Sequence, residues 1–508
     1  MRAKLQGIAA ALLAAAALAG CEPPVVAKAP PRKPPPGTPA KAPVTAGPAQ
    51  PDWLGARPAL DKPRPFTPPA PVVFETANGL KVWLLERPAL PLVSITVAIS
   101  AGSAADPPKA AGLASITADM LDEGAGRRDA VQLSSAINDL GASLGVGARA
   151  DGSFASLTVL KKNFTPAFAI LADVLARPRF DAKEWKRVSE LWQNALKKRG
   201  DDPSQVSRVL TGAALYGPGT AYGHPSDGVL SDAKSIGLPA VKAFYRGAWR
   251  PDRAVLVVTG AVTKDEITKA IDRELGGWKA PRGAPIEVPA NPGRDPQWKP
   301  PRLVLVDRPG APQSVIAVVR EGVSASDPRA PLLGLINTAL GGSFTSRLNQ
   351  NLREEHGWSY GARSVFSEAR GQGAFLARAA VITEATGSAL KEMLAELTKM
   401  ADSGLTQEEL SKVLAQDRAD LVETYETNGS AAARLGVLAT LGLPPTFDAS
   451  ASQARQKVTL AGLTELSPAV DPKGATIVVV GPLDKVSPQL QALGLGEPQL
   501  WDPEGRPL

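Results

Sequence analysis

Two stretches of this chain repeat one another at a fixed spacing. Leu84-Leu85-Glu86-Arg87-Pro88, followed by Pro91, runs into an alternating strand at Leu92–Ser100. Leu305-Val306-Asp307-Arg308-Pro309, followed by Pro312, runs into another at Ser314–Val319. Arg87/Arg308, Pro88/Pro309 and Pro91/Pro312 are each 221 residues apart, and so are Gly260 and Gly481 behind their Val-rich runs. Trp278 and Trp501 follow at 223. A register held over that length means internal duplication, so the chain must fold as two copies of one domain. The copies are read as 71–280 and 302–508, joined by a Pro-rich connector at 281–301.

Each copy opens on β-branched strands, and the first carries an Asn78-Gly79 hairpin signal. Apolar periodicity then predicts helices over Ala110–Glu123, Ala130–Leu140, Thr165–Leu175 and Lys183–Lys198 in the first copy. In the second it predicts Pro331–Leu340, Ser346–Glu355, Glu384–Lys399 and Gln407–Glu423. Strands Ala254–Thr259 and Ala475–Val480 close the copies, each with one more helix behind it. Strands and helices without regular βαβ alternation predict an α+β class, helices packed on one face of a mainly antiparallel sheet.

The segment ahead of the copies is of another kind. Arg2 and Lys4 precede an apolar run, Ile8–Leu18, too short to span a bilayer and suited to a signal peptide over residues 1–20. It ends in Leu18-Ala19-Gly20-Cys21, which resembles a bacterial lipobox and makes Cys21, the chain's one cysteine, the expected lipidated terminus. With no Asp after Cys21, the expected location is the cell envelope, at the outer membrane facing the periplasm. Sixteen of the 48 prolines lie between Glu22 and Ala70, so residues 21–70 read as a tether unable to bury enough surface to fold. Residues 1–21 carry +2 and residues 22–70 carry +4, so the formal charge of +7 leaves only +1 for the body. That excludes a nucleic-acid-binding stripe.

Local motifs identify the body. Tyr216-Gly217-Pro218, Tyr222-Gly223-His224-Pro225 and Gly228 occur in the first copy. Gly341-Gly342-Ser343-Phe344-Thr345-Ser346-Arg347-Leu348 and Leu352-Arg353-Glu354-Glu355 occur in the second. Together with the duplication they resemble one subunit of the M16, insulinase-like zinc peptidases, over nearly all of 71–505. In active members a first-domain helix carries His-x-x-Glu-His, two imidazoles on one helix face for zinc with the Glu as general base. A further Glu downstream completes the ligands. The resemblance places Ser115, Ala118 and Asp119 at the His, Glu and His positions and Ala195 at the last, with Glu190 the nearest acid.

The whole chain has two histidines, His224 and His356, one in each copy. They are read as a loop hydrogen-bonding residue and a helix C-terminal cap, and Asp119 and Asp122 as a solvated helix face. No metal site is therefore expected in this chain. The resemblance implies zinc in a partner subunit that carries His-x-x-Glu-His.

What this sequence retains is an Arg and a Tyr seven apart, Arg353 and Tyr360, with Gly357 between them as a helix stop. In the family this pair contacts the substrate backbone near the scissile carbonyl, which implies substrate-binding roles here. Packing of Tyr360 and pairing of Arg353 with Glu354 or Glu355 is the structural alternative. The resemblance thus implies the non-catalytic, peptide-binding half of a heterodimeric peptidase acting on peptide or unfolded protein. A pure scaffolding protein of an envelope complex is the alternative, and a hydrolase built on Ser115 or Ser346 lacks a nearby His base.

Overall fold

The computed structural model describes residues 66–508; Cys21, the signal segment and most of the tether lie outside the described residues. The fold is α+β, built on two six-stranded sheets. The first contains β1 (Val72–Glu75), β2 (Lys81–Glu86), β3 (Leu92–Ile99), β4 (Ser143–Ala148), β5 (Ser153–Leu160) and β6 (Ala254–Gly260), in the order β1-β2-β6-β3-β5-β4. The second contains β7 (Leu303–Asp307), β8 (Gln313–Glu321), β9 (Ser359–Phe366), β10 (Ala374–Ile382), β11 (Thr476–Gly481) and β12 (Gln499–Leu500), in the order β9-β10-β8-β11-β7-β12.

Five strands of each sheet match in order and direction, and the register carries the duplication into three dimensions. Thr96 pairs with Val257 and Ala317 with Val478, both members displaced by the same 221 residues. Only the sixth strand differs. The first sheet adds β1 through the Asn78-Gly79 turn, where Gly79 takes φ 81; the second adds β12 from the far end of the chain. Both sheets mix one or two parallel pairings with antiparallel ones.

Four helices matter for the site: α1 (Leu113–Asp119), α2 (Ala182–Arg199), α3 (Pro203–Tyr216) and α4 (Asn428–Thr440). Helix α1 is shorter than the expected Ala110–Glu123. Gly112 at φ 94 cannot extend it backwards, and Asp106 accepts from the backbone N–H of Gly112 and Ala114 at 2.8 Å each. Gly112 and Gly228 lie back to back. A Cβ on Gly228 would fall 2.3 Å from Ala111 O, which fixes α1 against the motif loop that follows α3.

Helices α3 and α4 are exchanged between the copies. Asp202 caps α3 through Ser204 N and Gln205 N, with Pro203 in the first turn. The apolar face of α3 (Val206, Leu210, Ala213) packs on Val304, Val315 and Val478 of the second sheet. Conversely, Ala432, Leu435 and Leu438 of α4 pack on Trp83, Ala98 and Val257 of the first. The Thr259 hydroxyl reaches Asn428 O at 2.7 Å, and Arg87 reaches Tyr425 O at 2.8 Å. The second face of each sheet is thus closed by a helix of the other copy, while each copy keeps its own main core.

Candidate functional site

In the second copy the expected helices Pro331–Leu340 and Ser346–Glu355 are not regular. The first ends in a π-helical turn, Thr338–Gly342, and the second passes into another, Gln350–Glu355. Close approach explains the first: a Cβ on Gly341 would lie 2.5 Å from Ser364 N, so only glycine lets the turn meet β9. π-Helical turns of this kind are frequent at functional sites. The motif residue Arg347 is structural, with a two-pronged ion pair to Glu409 at 2.7 Å for each contact.

Arg353 sits in the second π-helical turn, and Gly357 at φ 65 releases the chain into β9. The strand starts on a bulge between Ser359 and Ala362, where the Ser359 hydroxyl donates to Gly361 O and Ala380 O. A bulge re-aims its side chain, and Tyr360 is 92% exposed. Tyr360 therefore does not pack within this chain, whereas the pairing of Arg353 with Glu354 named in the structural alternative is present. The Arg353 guanidinium lies 4.4 Å from the Phe344 ring centre, with its Nε 3.4 Å from Glu354 Oε1. Both residues line one cavity of about 800 Å³.

Residues outside the recognised motifs position this pair. Asn349 donates to Ser343 O at 3.0 Å and accepts from Ala362 N at 2.8 Å, tying the Gly-rich loop to the bulged strand. The Ser364 hydroxyl donates to Asn337 Oδ1 at 2.8 Å. Arg208, from α3 of the first copy, lines the same cavity. The first-copy motif tyrosines reach across the seam: Tyr216 donates to Gln372 O at 2.9 Å, and the Tyr222 hydroxyl accepts from Gly371 N at 3.1 Å while donating to Asp151 of its own copy at 2.7 Å. No sequence spacing could have pointed to these, because their partners lie more than 70 residues away.

The degenerate positions of the first copy do not suit a metal. Ser115 is half-buried, Ala118 fully buried, Asp119 exposed, and Ala195 and Glu190 both exposed on α2. One hydroxyl, one carboxyl and two methyl groups do not form a zinc site, so zinc does not fit here. Among the described residues no group of three or more His, Cys, Asp or Glu could hold a metal ion. His224 is half-buried with Nδ1 3.2 Å from Pro225 O, and burial lowers its pKa. His356 follows the π-helical turn and stacks on Trp358 at 4.0 Å. Ser346 is buried beside Asn349, which removes it as a free nucleophile.

Asp119 is exposed as a whole residue but its carboxyl is crowded by protein, and Asp122 is half-buried, so the two do not form one solvated helix face. Asp119 ends α1, and Asp122 lies in the turn beyond it. Surrounding protein first, then Asp122 and Glu123, pushes the Asp119 carboxyl up to about 6. Burial and then Glu123 likewise hold Asp122 at about 6. With folded pKa values above the unfolded 3.8, the folded chain keeps these protons longer than the unfolded chain does. Stability therefore falls as pH rises from about 4 through about 6 and stays lower above that. Asp119→Asn and Asp122→Asn are expected to raise the melting temperature at about pH 7.5, with the gain gone by about pH 4. Thermal melts at the two pH values check this; an equal shift at both would assign the effect to helix-end charge or packing instead.

Residues 81–216 match the family model for insulinase, peptidase family M16, and residues 235–416 match that for the peptidase M16 inactive domain. The chain belongs to the M16 peptidase family. An uncharacterised zinc protease of Bacillus subtilis is 24% identical over 368 residues, 72% of this chain and 86% of that one. A crystal structure of a peptidase M16 inactive domain from Pseudomonas fluorescens superposes with a TM-score of 0.72 at 25% identity, covering 81% of this chain and 98% of the other. A Helicobacter pylori protease shares the fold, with a TM-score of 0.74 at 16% identity over 82% of this chain and all of that one.

Proposed function

We propose that this chain is the non-catalytic, peptide-binding subunit of a two-chain M16 peptidase, working beside a partner subunit that carries His-x-x-Glu-His and holds the zinc. The observation that carries this reading is the contrast between the halves. The first copy keeps neither His nor Glu at the family positions, only the lone Asp119 carboxyl, while the second holds Arg353 and an outward-facing Tyr360 on one cavity. In this reading Tyr360 donates its hydroxyl, and Arg353 its guanidinium, to the backbone of a bound peptide or unfolded segment near the bond being cut. A fixed donor at that place stabilises the charge that develops on the carbonyl oxygen. Phe344 holds the guanidinium plane by stacking and so limits its reorganisation.

We further propose that the chain is held in the bacterial cell envelope by lipid on Cys21, the Pro-rich tether carrying the body away from the bilayer. Among the described residues no helix is long and apolar enough to cross a membrane, so the lipid is the anchor in this reading. One experiment tests partner and anchor together. Affinity purification from native membranes is expected to bring down a His-x-x-Glu-His chain with about one zinc per pair, all of it bound to that partner. Cys21→Ser is expected to move the chain out of the membrane fraction after a high-salt wash. Zinc retained by the isolated chain, or membrane binding that survives Cys21→Ser, would overturn the corresponding half of the proposal.

A further inference from the structure

The cavity beside Arg353 and Tyr360 carries more positive charge than the pair requires. Arg363 on β9 and Arg378 on β10 are direct cross-strand partners, so their side chains stand on the same face of the sheet. Like charges directly opposite one another destabilise a sheet. Arg208 enters the same cavity from α3, and no Asp or Glu is among the residues that line it. The carboxylate that acts on Arg378, Asp202, makes no ion pair with it and spends its hydrogen bonds capping α3 through Ser204 N and Gln205 N. Arg378 makes only a 3.3 Å contact to Ser204 O, and Arg208 a 3.5 Å contact to Gln205. Burial, followed by Arg208 and Arg363, pushes the Arg378 pKa down, the direction expected of an unneutralised cluster.

A sheet that sets two arginines face to face and brings a third from the other copy gains stability when an anion sits between them. Guanidinium forks match carboxylate geometry better than any other side chain does. The cavity also continues past Arg208, Val365 and Leu376, which are shared with an adjoining, mainly apolar pocket that reaches Tyr216 and Tyr222 and holds Asp151 and Glu368 at its far side from the arginine pair. There is therefore room for further peptide beyond the charged group.

We propose that Arg208, Arg363 and Arg378 form a carboxylate-recognising subsite next to Arg353 and Tyr360, so that the subunit selects peptides bringing an acidic side chain or a free C-terminus to that position. This rests on the reading of the cavity as a peptide site. The test is calorimetric titration of the full chain with three unlabelled decapeptides at low salt. One carries paired Asp and Glu residues with both ends capped. A second replaces them by Asn and Gln, also capped, and the third is the Asn/Gln peptide with a free carboxyl end.

The acidic capped peptide, the free-ended peptide, or both are expected to bind about 10-fold tighter than the neutral capped one. Which of them does so separates a side-chain reader from a terminus reader. The double variant Arg208→Gln with Arg363→Gln is expected to bring all three within about twofold of one another. Because Arg363→Gln removes the like charge facing Arg378, the variant should melt no lower than the wild type, and loss of preference cannot be assigned to misfolding. Equal affinity for all three peptides in the wild type, or a preference that survives the double substitution, overturns the subsite and leaves the peptide-binding reading standing. No binding of any peptide overturns both.

Discussion

Tyr360→Phe is expected to slow peptide cleavage by the assembled two-chain peptidase by about 100- to 1,000-fold, the usual cost of losing one donor to a developing oxyanion. The change removes a hydroxyl and almost no volume. Since the ring is 92% exposed, neither folding nor assembly should suffer. Arg353→Lys keeps the charge but gives up the planar fork and the face it lays over Phe344, and is expected to impair turnover too. Both losses should fall on kcat more than on KM, because donors aimed at the transition state contribute little to ground-state binding. The measurement is steady-state cleavage by reconstituted heterodimers, with assembly confirmed by size-exclusion chromatography. Unchanged rates for both variants would make the pair structural, and the scaffolding reading would then be the better one.

The duplication was legible because it is written in residues with few substitutes. Proline at 88 and 309 and glycine at 260 and 481 mark where strands begin and end, so their spacing carried the matching register of both sheets. Arg353 and Tyr360 could be placed at a helix end and a strand start because Gly357, at positive φ, punctuates between them. Strands β4, β5 and β10 are not among the strands read from the sequence. In Ser143–Ala148 Leu144, Val146 and Ala148 alternate onto the core, but two glycines and a single β-branched residue weaken the signal, and the segment becomes a strand through its partner.

Harder still was what each apolar face packs against. Helices α3 and α4 are not among the helices read from the sequence, and nothing in the spacing of Val206, Leu210 and Ala213 says that they cover the other copy's sheet. For that reason Arg208, on the side of α3 turned away from this face, could not be connected to the cavity before the fold was known. The π-helical turns around Gly341 and Arg353 were invisible too. The first comes from the close approach of β9 at Gly341 rather than from helix propensity.

Trp501→Ala is expected to cost about 3–5 kcal/mol of stability, among the largest effects of any single truncation in the chain. Trp501 is 1% exposed and packs among Val206, Leu210 and Ala213 of α3, with its ring edge-on to Trp298 at 6.2 Å. Trp298 in turn donates to Ala214 O at 2.9 Å, so the tail, the connector and α3 are stapled at one place. Trp278, the counterpart of Trp501 in the repeat, lies instead within the core of its own copy. That difference gives the prediction its control. Trp278→Ala should destabilise by a similar amount, since both side chains are buried. Only Trp501→Ala should loosen α3 from the second sheet ahead of global unfolding, seen as faster amide exchange across Pro203–Tyr216 under native conditions. Trp501→Phe should restore much of that protection, because it refills most of the space and loses only the indole contact to Gln499 at 3.2 Å. If Trp501→Ala lowers the melting temperature without changing exchange in α3, the tail stabilises its own copy alone. The seam between the copies would then depend on the α4 exchange and the tyrosine contacts.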